Sequence, residues 1–409
     1  MKIIINILII ILLAIVPSIG QSLEEYYKIA AEQNPGLQSK YKEFEAALQK
    51  VPQVSALPDP NLSLGYFLSP VETRVGPQRA KISLSQMFPW FGTLEAQEDA
   101  AALFAEAKYQ AFLDARNQLY FRVAAAYYPI YELKQWMTIE KENLEILKTY
   151  QNIATAKFEN GNGPMVDVLR VDILQEESMT DLQILEEKKA SLLTTFNKLL
   201  NREDTVGIYV PDSLILFEIE DKWREDSLEQ NPLIEELELK IQASEASETA
   251  AGKQGMPKIG VGLDYVITGE RSDVSLPDNG KDVFMPMISI SIPFFSKKYD
   301  AAAKESRLMQ ESFSMKKQEV INSLKANYES AWFNIERSNE EIALYKKQIE
   351  KNKRILNLLL SAYSNTGEDF EEVLNVQQKL LKYEKMLVTA SAQYEIALAR
   401  LNYLTAKTY

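Results

Sequence analysis

The chain has 409 residues, a net charge of −13, and neither Cys nor His. Lacking Cys, it has no disulfide, thiol nucleophile or Cys-based zinc site; lacking His, it misses the usual general base and the commonest nitrogen ligand of metals. The acid excess disfavours nucleic acid as a partner, and no Gly-rich phosphate-binding signature occurs, so nucleotide chemistry is not expected either.

Met1-Lys2 precedes an apolar run from Ile3 to Val16, then Pro17-Ser18-Ile19-Gly20. One cation, a short greasy core and small residues read as a secretory signal over 1–20, cleaved near Gly20. A membrane anchor needs roughly 20 apolar residues, more than this run supplies. Without a Cys after the run, no lipid-modified N-terminus is expected.

The rest is written twice. Glu32-Gln33-Asn34-Pro35 returns 197 residues later as Glu229-Gln230-Asn231-Pro232, and Pro60 returns as Pro257. Tyr127-Tyr128, Phe158, Val168-Leu169 and Asn197 return 205 residues later as Trp332-Phe333, Tyr363, Val373-Leu374 and Asn402. The offset changes inside one loop, so the copies are expected to be 21–213 and 214–409. Units this long are not solenoid repeats.

Each copy opens on helix-forming residues, over 22–56 and 223–255, ended by Pro58 and Pro257. Alternating segments follow, at about 60–68 and 81–88, then 257–267 and 283–292. Leu62, Leu64 and Tyr66 alternate with Ser63 and Gly65; Ile288, Ile290 and Ile292 alternate with Ser289 and Ser291. Apolar residues on one face and Ser, Gly and Asn on the other suit a lipid-facing β-barrel with a polar interior. Met256, Met285 and Met287 are read as packing rather than soft-metal ligands.

Long helices are predicted over 94–159 and 299–363, each about 100 Å long at 1.5 Å per residue. Ile321, Tyr328, Ile335, Ile342, Ile349, Leu356 and Tyr363 fall at intervals of seven, as do Val123, Ile130, Met137, Leu144, Gln151 and Phe158. That period implies knobs-into-holes packing. Pro129 should kink the first long helix or break its ladder. Turns at 159–164 and 364–369 reverse the chain, and helices return over 165–202 and 368–407. Four strands cannot close a barrel, and open edges are not tolerated in lipid. Three chains supply 12 strands and 12 helical columns, so a cyclic homotrimer is expected.

The duplication, the Asn-Pro pairs and the tip segments resemble the outer-membrane efflux protein family, the TolC-like channels. The tip pattern stands here as Phe158-Glu-Asn-Gly161 with Asp167-Val168-Leu169, and as Tyr363-Ser-Asn-Thr366-Gly367 with Glu372-Val373-Leu374, its Gly displaced by one. The resemblance implies a mainly α protein with a small β part: a trimeric 12-stranded outer-membrane β-barrel continued by a periplasmic α-helical barrel. It implies a passive exit duct of a tripartite efflux pump, not an enzyme, with no cofactor. Its partners would be outer-membrane lipid, a periplasmic membrane-fusion adaptor and an inner-membrane pump of RND or ABC type. Phe158, Gly161, Gly163, Tyr363 and Gly367 would form the tip that meets the adaptor. Asp167, Glu368, Asp369 and Glu372 would form an acidic gate, although Asn375 and Glu368 stand where relatives carry an acid and a base. The alternatives are a duct for type I protein secretion and, in a different class, a periplasmic coiled-coil adaptor or scaffold. A secreted carboxylate enzyme finds no compact domain in this pattern.

Overall fold

The computed structural model describes residues 22–214, 225–273, 275–366 and 370–407. In chain order they form α1 (Leu23–Gln33), α2 (Pro35–Leu48), α3 (Lys50–Ser55), β1 (Asn61–Thr73), β2 (Gly76–Phe88), α4 (Thr93–Glu159) and α5 (Met165–Leu199). After a 3-10 turn (Glu225–Gln230) come α6 (Pro232–Gln254), β3 (Lys258–Thr268), β4 (Val283–Ser291), α7 (Lys297–Thr366) and α8 (Phe370–Leu404). These elements fall into two compact units. One comprises Met1–Ser39, Leu113–Asn231 and Asn322–Tyr409; the other comprises Lys40–Phe112 and Pro232–Ile321. The signal segment 1–20 and tip residues Gly367, Glu368 and Asp369 lie outside the described residues.

The first helix of each copy is broken where a single element is expected. Asn34 stops α1 in an extended conformation, and its Oδ1 accepts the Leu37 N–H at 3.1 Å, with Pro35 opening α2. Pro suits that position because its missing N–H would be an orphan there anyway. The Asn34 side-chain amide donates to the Leu199 carbonyl at the end of α5, at 2.9 Å. Asn231, just before α6, donates to the Leu404 carbonyl at the end of α8, also at 2.9 Å. Each Asn therefore satisfies a terminal carbonyl that its own helix cannot. Both receiving helices end in the same turn. The Arg202 N–H bonds the Asn197 carbonyl and the Lys407 N–H bonds that of Asn402, with Asn201 and Ala406 left-handed at φ 52° and 51°.

Helix α4 runs 67 residues and α7 runs 70. Pro129 removes one N–H from the α4 ladder, yet the expected local break does not form. Tyr127, Tyr128, Ile130 and Tyr131 around it are buried, and their packing holds the helix. Along the seven-residue register Val123, Ile130, Met137, Ile335, Ile342, Leu356 and Tyr363 are buried.

Glu140 and Glu395 are acids buried midway along the helices of this unit. Glu140 of α4, 1% exposed, pairs with Lys385 of α8 and accepts the Ser178 hydroxyl of α5 at 2.8 Å. Glu395 of α8 is buried and accepts the Tyr128 hydroxyl at 3.1 Å. Burial pushes the Glu395 carboxyl up to about 7, with the Tyr128 bond working the other way. The folded chain thus holds this proton more tightly than the unfolded chain. Its stabilising contribution is complete below the ordinary value of 4.5 and is lost as pH rises through about 7. Across that window the loss is on the order of 3 kcal/mol. Glu395→Gln should therefore narrow the difference in helix unfolding midpoint between pH 5 and pH 8 in detergent (~1.36 kcal/mol per pKa unit governs its size). An unchanged difference would exclude Glu395 as its source.

The second unit holds one antiparallel sheet in the order β1-β2-β3-β4. Strand β2 pairs with β3, Ile82 opposite Tyr265 and Leu84 opposite Leu263, so the two copies share a single sheet. The β1–β2 hairpin reaches farther than its alternation predicts. Residues 69–73 and 76–79 belong to strands rather than a loop, after an irregularity between Tyr66 and Val71.

Candidate functional site

Two regions carry the features that bear on function: the sheet in one unit and the helical tip in the other.

Registers place Leu62, Leu64, Ile82, Leu84, Leu263, Tyr265, Phe284 and Ile288 on one face of the sheet. That face is open: Leu64 is 75% exposed, Leu68 93% and Ile288 79%. The opposite face carries Ser63, Ser83, Ser85, Gly260, Gly262 and Ser289. There Lys81 pairs with the fully buried Asp264, so the one charge pair of this face is internally compensated. Met87, Met285 and Met287 share the polar face; Met87 and Met287 lean over Gly260 and Gly262, where a Cβ would meet them. They fill space left by glycine, the role expected of Met287. No helix among the described residues is long and apolar enough to cross a membrane.

At the tip, α4 ends in a Schellman turn. The Gly161 N–H bonds the Phe158 carbonyl at 3.0 Å and the Asn162 N–H that of Lys157 at 2.8 Å. Gly161 sits at φ 70°, the left-handed conformation this motif requires of it, and a Cβ there would meet nothing within 4 Å. A Cβ on Gly163 would meet the Lys157 side chain at 3.1 Å. Phe158 continues the buried register in sequence but is 44% exposed, because the helix outruns its packing partners here.

Tyr363 is buried and stacks on Phe370 at 4.4 Å, within a cluster of Leu147, Tyr150, Val171, Val373 and Leu374. The Lys157 ammonium lies 4.4 Å from the Tyr363 ring centre and donates to the Tyr363 carbonyl at 2.6 Å. The end of α7 is thereby tied to the end of α4. Asp167, in the first turn of α5, is buried rather than open to water. Burial raises its carboxyl above the usual value, Arg170 acts against this and Glu371 adds to it. Arg170 stands 3.7 Å from Asp167 and 2.7 Å from Glu371, bridging α5 to α8. Glu372 is exposed.

The structure thus buries Asp167 and brings Tyr363, Val373 and Leu374 into one cluster with Val168 packed against it, and leaves Phe158, Gly161, Leu169 and Glu372 facing outward. Sequence reasoning missed Arg170, Lys157 and Phe370. Arg170 lies one helical turn after Asp167, a spacing that signals a pair. Nothing in the sequence foretells the bridge to Glu371, 201 residues away.

A family model described as outer membrane efflux protein matches residues 26–201 and 223–407. No curated protein sequence matches the chain. Among solved structures, a membrane protein from Pseudomonas aeruginosa aligns with a TM-score of 0.76 at 16% identity, covering 94% of this chain and 93% of that one. The outer membrane protein VceC of Vibrio cholerae aligns at 0.74 and 14% identity, covering 94% and 95%. The open state of the Neisseria gonorrhoeae MtrE outer membrane channel aligns at 0.72 and 18% identity, covering 94% and 88%. At such identities the likeness speaks of the fold.

Proposed function

Because the chain belongs to the outer membrane efflux protein family, we propose that it is the passive exit duct of a tripartite efflux pump, seated in the outer membrane as a homotrimer. The observation that carries this reading is the four-stranded sheet. One face is apolar and open, the other is small and polar, and among the described residues neither edge strand has a second partner. Unpaired edges are not tolerated in lipid, where no water can satisfy them. Three chains would close 12 strands into a barrel wide enough to leave a passage; eight strands would be filled by their own side chains. The copies 21–213 and 214–409 would then alternate around the ring. Energy would come from an inner-membrane pump reached through a membrane-fusion adaptor.

Purified in detergent, the protein should run as a trimer by native mass spectrometry and form discrete single channels in planar bilayers. A monomer that stays dispersed without detergent, or trimers that pass no current, would overturn the reading.

At the tip, Arg170 with Asp167 and Glu371 would latch the mouth. As partly exposed pairs they contribute less than about 1 kcal/mol to stability. Arg170→Ala should therefore leave the trimer intact while raising single-channel conductance. Wild-type current in that variant would exclude a latch.

A further inference from the structure

The helical unit contains one seam whose copy is missing. Helices α4 and α8 run antiparallel and meet through polar side chains. The Tyr128 hydroxyl donates to Glu395, the Thr389 hydroxyl to Glu132 and the Gln377 amide to Asn143, while Glu140 pairs with Lys385. The 205-residue repeat carries α4 forward onto α7 and α8 back onto α5. Yet no hydrogen bond or ion pair joins α7 to α5 among the described residues. Instead α7 leans on α8, where Lys353 stands 3.0 Å from Glu384 and Tyr345 packs on Tyr383. Helix α5 leans on α4 through Ser178 and Glu140.

The residues that would form the second seam are present and uncovered. Tyr128 is 8% exposed, whereas its counterpart Phe333 is 59% exposed. Glu395 corresponds to Ala190, which is exposed. With Phe333 set opposite Ala190 and the helices antiparallel, each step forward along α7 is a step back along α5. Steps of four and three residues in turn keep to one helix face. That register sets Leu344 opposite Met179 and Leu358 opposite Met165, four apolar side chains that are all exposed. It also sets Arg337 opposite Glu186, Lys347 opposite Glu176 and Lys351 opposite Asp172. These six are exposed, and Lys347, Lys351, Glu176 and Glu186 form no ion pair among the described residues. Sliding α5 by one heptad in either direction would set Leu344 against Glu186 or Asp172, so the match is specific to one register.

We infer that this stripe of α7 packs on α5 of a second copy of the chain, with Leu344 against Met179 and Lys347 against Glu176. The inference rests on the homotrimer proposed above and adds which helices meet between copies and in what register. Each chain offers α7 to one neighbour and α5 to the other, a head-to-tail contact that closes in a ring. The apolar pairs lose water on contact, and the charged pairs fix the register more than the affinity.

Because the chain has no Cys, introduced cysteines report alone. The full-length protein in detergent is oxidised with copper phenanthroline and run on denaturing gels without reductant, after native mass spectrometry has given its oligomeric state. The variant Leu344→Cys, Met179→Cys should lose its monomer band to a covalent trimer, since a disulfide needs Cα atoms within about 7 Å. Leu358→Cys with Met165→Cys is a second pair in register and should do the same. Leu344→Cys with Glu186→Cys, one heptad out, should stay monomeric. Chains carrying Leu344→Cys alone, co-expressed with chains carrying Met179→Cys alone, should yield covalent dimers and no trimer, which separates bridges between copies from bridges within one. Trimers in which neither pair in register is bridged, bridging of the pair one heptad out, or bridges confined to single chains overturn the inference. A wild-type protein that forms no trimer fails the exit-duct reading instead.

Discussion

Lys385→Met should destabilise the helical unit by about 3–5 kcal/mol, among the largest losses available to any single substitution in this chain. Glu140 is 1% exposed, and its charge is balanced by the Lys385 ammonium, with the Ser178 hydroxyl as its remaining partner. Lys385 is held in place itself. Its carbonyl accepts the Trp136 indole N–H at 3.2 Å, and its ammonium also lies 3.5 Å from Asp181. Removing the ammonium alone leaves a carboxylate in a site closed to water. Removing both charges is a different matter, because a buried ion pair repays little more than the desolvation of its members. The double variant Glu140→Met, Lys385→Met should therefore recover most of the loss. Urea midpoints for helix content, read by circular dichroism in detergent, would test both. A single variant as stable as the parent, or a double variant no better than the single, would show that the pair does not bear on stability.

Gly161→Trp should abolish export while sparing the fold. The left-handed turn at φ 70° makes any side chain there strained, at roughly 1–2 kcal/mol. No atom lies within 4 Å of the added Cβ, so the indole would point outward and not into the protein's own packing. If this tip meets an adaptor, the indole occupies the place where a partner backbone must approach. Gly207→Trp serves as the control, since Gly207 is equally open and needs no positive φ. Cells carrying Gly161→Trp should become as sensitive to pump substrates as cells lacking the gene, with trimer in the outer membrane at parental amounts. The Gly207 variant should remain resistant. Full resistance with Gly161→Trp would remove the tip from the docking surface.

Much of this was legible in the residues. Intervals of seven located the long helices because burial along α4 and α7 follows a single stripe, from Val123 to Met137 and from Ile335 to Tyr363. Alternation located the strands for the same reason, with period two. It failed at the far end of the first hairpin, where Pro70, Glu72, Pro77 and Arg79 interrupt the apolar series although the backbone stays extended. The Asn-Pro pairs were visible as a repeat but not as pins, since the carbonyls they satisfy belong to Leu199 and Leu404, more than 160 residues away. Glu140 and Glu395 were invisible for a related reason. An acid on a long helix reads as a wetted face unless its partner on another helix is known, and neither Lys385 nor Tyr128 is near in sequence. Arg170 could be paired with Asp167 by spacing, but its reach to Glu371 required the fold.

The two outer strands of the sheet each carry an imino acid, Pro70 in β1 beside its irregularity and Pro286 within β4. Such a residue withholds one donor from whatever backbone lies alongside. A stray strand arriving out of step would meet that gap at the wrong place, while a sibling chain in the correct step can be built around it. In the proposed trimer these positions would matter most between synthesis and insertion, when each chain would still have both edge strands unpaired and be at greatest risk of clumping.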